Sequence, residues 1–251
     1  MSTPFDLSGK TAAVTGGGRG LGLGISNALV DAGADVIVFG RNDIPAELTA
    51  RAASLGRTVH FVALDLADSD AIAATAQRVL ANHRVDILVN NAGTQDRYPA
   101  VDFPLEAWDH VLDVNLRAVF QLCQLFGRPM LERGEGKIVN LASLLSFQGG
   151  ATVPAYAASK GAVAQLTKAL CNEWSSRGVN VNAVAPGYMA TDMNSALIAD
   201  PVRMEQLLVR IPAGRWGQPE DIGNVVVFLA SPAAIYVHGQ VLAVDGGWLA
   251  R

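Results

Sequence analysis

Short runs of β-branched and aliphatic residues recur along the chain: Thr11–Thr15, Val36–Phe39, Val59–Leu64, Ile87–Asn90, Ile138–Leu141, Val179–Val184 and Val241–Val244. Most are apolar at successive positions and do not alternate. That pattern belongs to strands buried on both faces, as in a parallel sheet. Between them lie segments of helical length: Leu21–Asp31, Ala46–Leu55, Ser69–Ala81, Leu105–Leu125, Ala155–Arg177 and Asp221–Leu229. Ala32-Gly33 stops the first, and Pro219-Glu220-Asp221 opens the last. The alternation predicts one α/β domain over residues 1–251: a doubly wound, seven-stranded parallel sheet with helices on both faces. Ligands in such sheets sit beyond the carboxyl ends of the strands. Leu105–Leu125 and Ala155–Arg177 are apolar on more than one face, which points to a subunit interface as well.

Composition narrows the classes further. The chain is 50% hydrophobic and only 17% charged, which excludes disorder and a coiled coil. A net charge of -4 leaves no basic surplus for a phosphate backbone, so no nucleic-acid partner is expected. Cys123 and Cys171 form no CxxC pair and sit in apolar helix patterns, as packing residues of a cytoplasmic protein would. The start, MSTPFDLSGK, lacks the apolar core and basic leader of a signal peptide. The most apolar run, Val225–Ala230, falls far short of the roughly 20 residues of a membrane span. His60, His83, His110 and His238 lack metal-ligand spacing, so no metal is expected.

Glycine is unevenly spread: six of the 25 fall between positions 16 and 24. The first strand runs straight into the loop Thr15–Gly22, and a helix follows. Glycine there permits positive φ and close approach of backbone to a pyrophosphate. The helix amino end adds free N–H groups and the positive end of its dipole. This predicts a dinucleotide site in a Rossmann-type sheet. After the second strand, Gly40-Arg41 stands where an NAD site places Asp or Glu on the ribose 2′-hydroxyl. A 2′-phosphate would meet no carboxylate and would find a guanidinium to pair with. Arg19 offers a second cation. NADP(H) is therefore favoured, and NAD(H) stays open because Arg41 also reads as a solvated loop residue.

The spacing Gly16-x-x-x-Gly20-x-Gly22 resembles the glycine motif of the short-chain dehydrogenase/reductases. Further matches follow in order: Asn90-Asn91-Ala92-Gly93, Asn115, Ser143, Tyr156 with Lys160, and Pro186-Gly187. The resemblance covers the whole chain. It implies cofactor contacts from Gly16, Arg19, Gly20, Leu21, Gly22, Arg41, Asn91, Ala92, Gly93, Tyr156 and Lys160. Asp65-Leu66 would meet adenine, and Pro186, Gly187 and Thr191 would line the nicotinamide. It also implies that Asn115 holds a water linking the lysine to solvent, and that the protein is a homotetramer.

Tyr156 and Lys160, four apart on one helix, share a face. A free tyrosine titrates near pH 10 and does little proton transfer at neutrality. An ammonium at ~4 Å contributes about 4 kcal/mol at an effective dielectric of about 20, enough to lower the phenol by up to about three pH units. Ser143 ends the fifth strand, where its hydroxyl would orient the reacting oxygen. Asn115 lies in the middle of a helical segment, where asparagine needs a reason. The implied catalytic set is Asn115, Ser143, Tyr156 and Lys160. In the oxidative direction Tyr156 takes the alcohol proton while the nicotinamide accepts hydride.

Residues Ser143–Gly150, Ala185–Thr191, Arg210–Gly217 and Val244–Arg251 resemble a sugar-acid branch of that family, the gluconate 5-dehydrogenases and 2-dehydro-3-deoxy-D-gluconate 5-dehydrogenases. Arg41 tilts the reading toward the first of these. A polyol acid needs a cation for its carboxylate and polar groups for its diols. Arg97 is the first carboxylate candidate and Gln148 a hydroxyl ligand, beside Ser143 and Tyr156. Arg210 and Arg251 come behind, reading also as a helix-end cation and a subunit contact. Two rivals stay open: a 3-ketoacyl-carrier-protein reductase and a non-catalytic NADP(H)-binding sensor.

Overall fold

In the computed structural model, residues 3–191 and 200–251 are described. The seven strands are β1 (Thr11–Thr15), β2 (Asp35–Gly40), β3 (Val59–Ala63), β4 (Ile87–Asn90), β5 (Gly136–Leu141), β6 (Val179–Pro186) and β7 (Val241–Val244). All pair in parallel, in the order β3-β2-β1-β4-β5-β6-β7. Their apolar runs are explained by a core on each face. Ala12, Val14, Val36, Val38, Ile87 and Val89 pack on one side with helices α1 (Gly20–Asp31) and α2 (Ala46–Ser54). Ala13, Ile37, Phe39, Leu88, Ile138 and Val181 pack on the other with α3 (Ser69–Asn82). The edge strands β3 and β7 turn His60 and Leu242 to solvent. The strand order reverses between β1 and β4, which opens a crevice at their carboxyl ends.

The expected helix Leu105–Leu125 is longer and interrupted. It comprises α4 (Leu105–Leu112), a π-helical turn (Asp113–Arg117) and α5 (Ala118–Arg133). Phe126 and Met130, fully buried, carry α5 past Pro129 until Gly134 ends it at φ 73°. The second long segment is α6 (Pro154–Trp174), closed by a short 3-10 turn (Ser175–Arg177). Among the described residues one helix escaped the apolar pattern: α7 (Pro201–Leu208), which buries no residue fully and only half-buries Leu207 and Leu208 against the cluster of Leu144, Ile211, Trp216 and Trp248. Its start is nevertheless legible, since Asp200 caps the N–H groups of Val202 and Arg203 and Pro201 takes the first turn. Helix α8 (Pro219–Ala230) packs beside α1.

Cys123 is fully buried, and burial pushes its thiol up to about 12, as an inert packing residue requires. Among the described residues no helix is long and apolar enough to cross a membrane.

Candidate active site

The loop between β1 and α1 forms one wall of the crevice. Gly16 and Gly20 hold φ of 65° and 51°, where a side chain would be strained. Gly22 is required for a different reason: a Cβ there would overlap the Gly16 carbonyl oxygen. The loop after β4 braces this turn. Asn91 Nδ2 donates to the carbonyls of Thr15 (2.9 Å) and Gly16 (3.3 Å), and the Ala92 N–H donates to Thr15 Oγ1 (3.0 Å). No side chain caps the amino end of α1, and its first turn, which includes Leu21, holds no acid. That cradle of free N–H groups suits a pyrophosphate.

At the adenosine end, Arg19 and Arg41 are both exposed, and neither has a partner among the described residues. A Cβ on Gly40 would meet nothing nearer than 3.6 Å. A Cβ at position 40 would therefore meet only ordinary contacts, and no carboxylate stands there. Asp65 Oδ1 accepts from the Ala67 N–H at 3.0 Å, while the cap of α3 is Asp68. Asp65 stays exposed beside the half-buried Leu66. At the other end, Pro186 closes β6, and the Gly187 N–H donates to the Val244 carbonyl at 2.9 Å. Thr191 borders the glycine loop, 3.9 Å from where a Gly20 Cβ would stand.

Beyond β5, Ser143 caps a 3-10 turn (Leu144–Ser146). Its oxygen accepts from the Leu145 N–H at 3.2 Å, which leaves its O–H free to donate to the Tyr156 hydroxyl. Ser146 Oγ donates to the Lys160 carbonyl at 2.7 Å and pins α6 to this turn. Lys160 is 4% exposed, and its Nζ donates to the Leu141 carbonyl at 2.6 Å. Its other two N–H donors face no partner among the described residues. Gly93 lies alongside, since a Cβ on it would stand 3.7 Å from Nζ. Two free donors on a buried ammonium suit a ribose diol.

The electrostatics correct one expectation. The ammonium stands 5.7 Å from the Tyr156 ring centroid, drawn to the Leu141 carbonyl. Burial pushes the phenol above its ordinary value, and the Ser143 hydroxyl offsets only part of that. Burial also pulls Lys160 down to about 8. In the chain alone, burial of the phenol therefore outweighs what lowers it.

Asn115 sits at the centre of a bonded cluster. The π-helical turn explains an asparagine in mid-helix, and the residue is fully buried. Its Oδ1 accepts from the Thr94 N–H (2.8 Å), and its Nδ2 donates to the Thr94 carbonyl (2.8 Å) and Ser159 Oγ (3.1 Å). Ser159 Oγ in turn donates to the Tyr156 carbonyl at 2.8 Å. Both amide donors are used, so a water held by this residue would have to donate to one of its carbonyl oxygens. The side chain is a clamp between the β4 loop and α6.

Arg97 is exposed in the β4 loop and has no partner among the described residues. The next N–H, of Tyr98, donates to the Thr152 carbonyl at 3.0 Å, which ties this loop to the stretch carrying Gln148. Thr152 holds φ 64° to make that connection. Gln148 Oε1 accepts from Trp248 Nε1 at 3.3 Å. Arg210 stacks 3.9 Å over the Trp248 ring, and Arg251 donates to the Val209 carbonyl at 2.7 Å. The sequence reading missed a small separate core of Leu144, Ile211, Trp216 and Trp248, with Tyr188 packed against it. The two tryptophans were its only visible signal.

Comparison with known proteins agrees with this geometry. The family profile described as Enoyl-(Acyl carrier protein) reductase matches residues 16–249. Over 247 residues the chain is 54% identical to 2-dehydro-3-deoxy-D-gluconate 5-dehydrogenase of Bacillus subtilis (strain 168), covering 98% of this chain and 97% of the relative. A candidate NAD(P)-dependent gluconate 5-dehydrogenase of Beutenbergia cavernae, crystallised with NADP at low occupancy, superposes at TM-score 0.96. It is 53% identical, over 99% of this chain and 100% of that one. The gluconate 5-dehydrogenase of Burkholderia cenocepacia J2315, in complex with NADP and tartrate, superposes at TM-score 0.94 and 40% identity, over 99% and 98% of the two chains. At these identities, over nearly the full length of each protein, the chain belongs to the short-chain dehydrogenase/reductase family.

Proposed function

We propose that this chain is an NADP(H)-favouring dehydrogenase that interconverts a secondary alcohol and a ketone on a sugar acid, of the gluconate 5-dehydrogenase or 2-dehydro-3-deoxy-D-gluconate 5-dehydrogenase type. The observation that carries the reading is the meeting of Ser143, Tyr156 and Lys160 beside an uncapped glycine loop at the carboxyl ends of the strands. The names of the relatives and the NADP in the related crystals support it.

The Gly16–Gly22 loop would hold the pyrophosphate, Arg19 and Arg41 the 2′-phosphate, and Asp65 and Leu66 the adenine. Asn91, Ala92 and Gly93 would support the ribose region. Lys160 would offer its two free donors to the nicotinamide ribose, and Pro186, Gly187 and Thr191 would line the ring. When bound, the cofactor supplies the hydride acceptor or donor. Ser143 donates to the reacting oxygen and orients it. In oxidation Tyr156 would act as the phenolate, its own proton having left toward solvent by way of Lys160, and would take the proton of the substrate alcohol; in reduction the phenol would give its proton to the carbonyl oxygen. Asn115 keeps α6 and the β4 loop in register. Arg97 and Gln148 would bind the carboxylate and a hydroxyl of the substrate. The chain acts as a single domain in the cytoplasm and assembles as a homotetramer, with no nucleic-acid or membrane partner. Outward apolar side chains at Phe120 on α5 and at Ile235 and Tyr236 support the assembly.

A panel of hexonates and keto-deoxy-hexonates, assayed with both cofactors, tests the reading. Turnover of a sugar acid, faster with NADP(H), is expected. Turnover of acetoacetyl thioesters but of no sugar acid would select the carrier-protein reductase instead. Cofactor binding without turnover across a broad alcohol panel would select the sensor.

A further inference from the structure

A glutamine can present either end of its amide, and the sequence leaves open which end Gln148 presents. The carboxyl-terminal residues decide it. An indole N–H only donates. Trp248 Nε1 therefore holds the Gln148 carbonyl oxygen, at 3.3 Å, and turns the amide nitrogen away. That nitrogen has no partner among the described residues. Gln148 is half-buried and lies one turn beyond Ser143, its N–H bonded to the Leu144 carbonyl at 3.1 Å.

The indole is itself fixed. Trp248 is 4% exposed, with the Tyr188 ring 4.8 Å from its own and the Arg210 guanidinium 3.9 Å over it. The backbone around it is held by Asp245, whose carboxylate accepts from the N–H groups of Gly247 (2.8 Å) and Leu249 (2.9 Å).

We propose that Trp248 is a positioning residue for substrate binding. It locks Gln148 as a donor, so the site accepts at that point only a substrate oxygen that can act as a hydrogen-bond acceptor. The inference rests on the sugar-acid reading, whose carboxylate, keto and hydroxyl oxygens all meet that requirement.

Trp248→Phe keeps the ring beneath Arg210 and removes the N–H. The KM for the sugar acid should rise about tenfold, the size of one lost hydrogen bond, while kcat and the KM for NADPH hold within about twofold. Gln148→Ala should do the same, and the double variant should be no worse than the poorer single one. Gln148→Glu leaves Trp248 untouched and keeps an acceptor toward the indole, but offers oxygen to the substrate. Its KM should rise beyond that of Gln148→Ala, and this variant remains decisive if Trp248→Phe fails to fold. Additive losses in the double variant, an unchanged KM in Trp248→Phe, or a Gln148→Glu protein that binds like wild type would overturn the proposal. A wild-type protein that turns over no sugar acid would overturn the functional reading, and this inference with it.

Discussion

The two walls of the crevice are built in different ways. The wall proposed for the cofactor is made mainly of backbone, with Arg19 and Arg41 added at its adenosine end: the Gly16–Gly22 turn, the uncapped end of α1, and a β4 loop tied to that turn by Asn91. The wall proposed for the substrate is made of side chains brought from far apart, with Leu144, Tyr188, Ile211, Trp216 and Trp248 packed into their own small core. Lys160 and Tyr156 stand between the two walls on α6. A backbone wall leaves its mark in local residue types, because only glycine tolerates those φ angles and contacts. A side-chain wall leaves almost none. It follows that variants of the first should strike cofactor binding and variants of the second should strike substrate binding.

Tyr156→Phe sits between the walls and should have the largest effect. The loss of a general acid–base lowers kcat/KM by about 10²–10⁴-fold. Fluorescence titration should show NADPH still bound, and a variant that kept substantial turnover would remove Tyr156 from the mechanism.

Lys160 gives a test through stability. Its folded value of about 8 lies below the ordinary 10.5 of a lysine. Between those values the unfolded chain binds the extra proton, so stability rises as pH climbs from about 8 toward 10.5. Below pH 8 the buried ammonium costs roughly 3 kcal/mol. Urea unfolding of Lys160→Met beside wild type should show a difference that shifts in favour of wild type between pH 8 and 10. A difference independent of pH would mean that Lys160 is not held as a buried cation.

Arg41→Ala probes the cofactor wall. Loss of a charge-assisted contact of about 1.5–3 kcal/mol should cut kcat/KM with NADPH by about 10–100-fold and leave NADH within about threefold. Equal losses with both would make Arg41 a solvated loop residue. Gly22→Ala strikes the turn itself. Its methyl would overlap the Gly16 carbonyl oxygen, and overpacking of this kind costs about 1–3 kcal/mol. A lowered melting temperature with weakened NADPH binding is expected, and normal binding would show that the turn tolerates the methyl.

The same contrast explains what the sequence disclosed. The seven strands, the glycine turn and the Tyr156–Lys160 pair were legible because each depends on neighbours within a few residues. So was the need for an explanation of Asn115. What could not be read was partner choice. Sequence spacing places Lys160 on the face of Tyr156, but it is burial and the Leu141 carbonyl that decide where the ammonium goes. Arg210 and Arg251 carry the right charge for a sugar acid, but that Arg210 lies over Trp248 and Arg251 reaches the Val209 carbonyl comes from the fold. Helix α7 stayed hidden because it is short and buries no residue fully.

The division of labour between the walls is tested most directly on Ile211, 4% exposed in the small core and named in no cofactor contact. In Ile211→Ala, the NADPH dissociation constant and the KM for the sugar acid should be measured on the same preparation. KM should rise severalfold while the NADPH constant stays within about twofold. An NADPH constant that rises in step with KM would contradict it, and would make the crevice one structure rather than two walls.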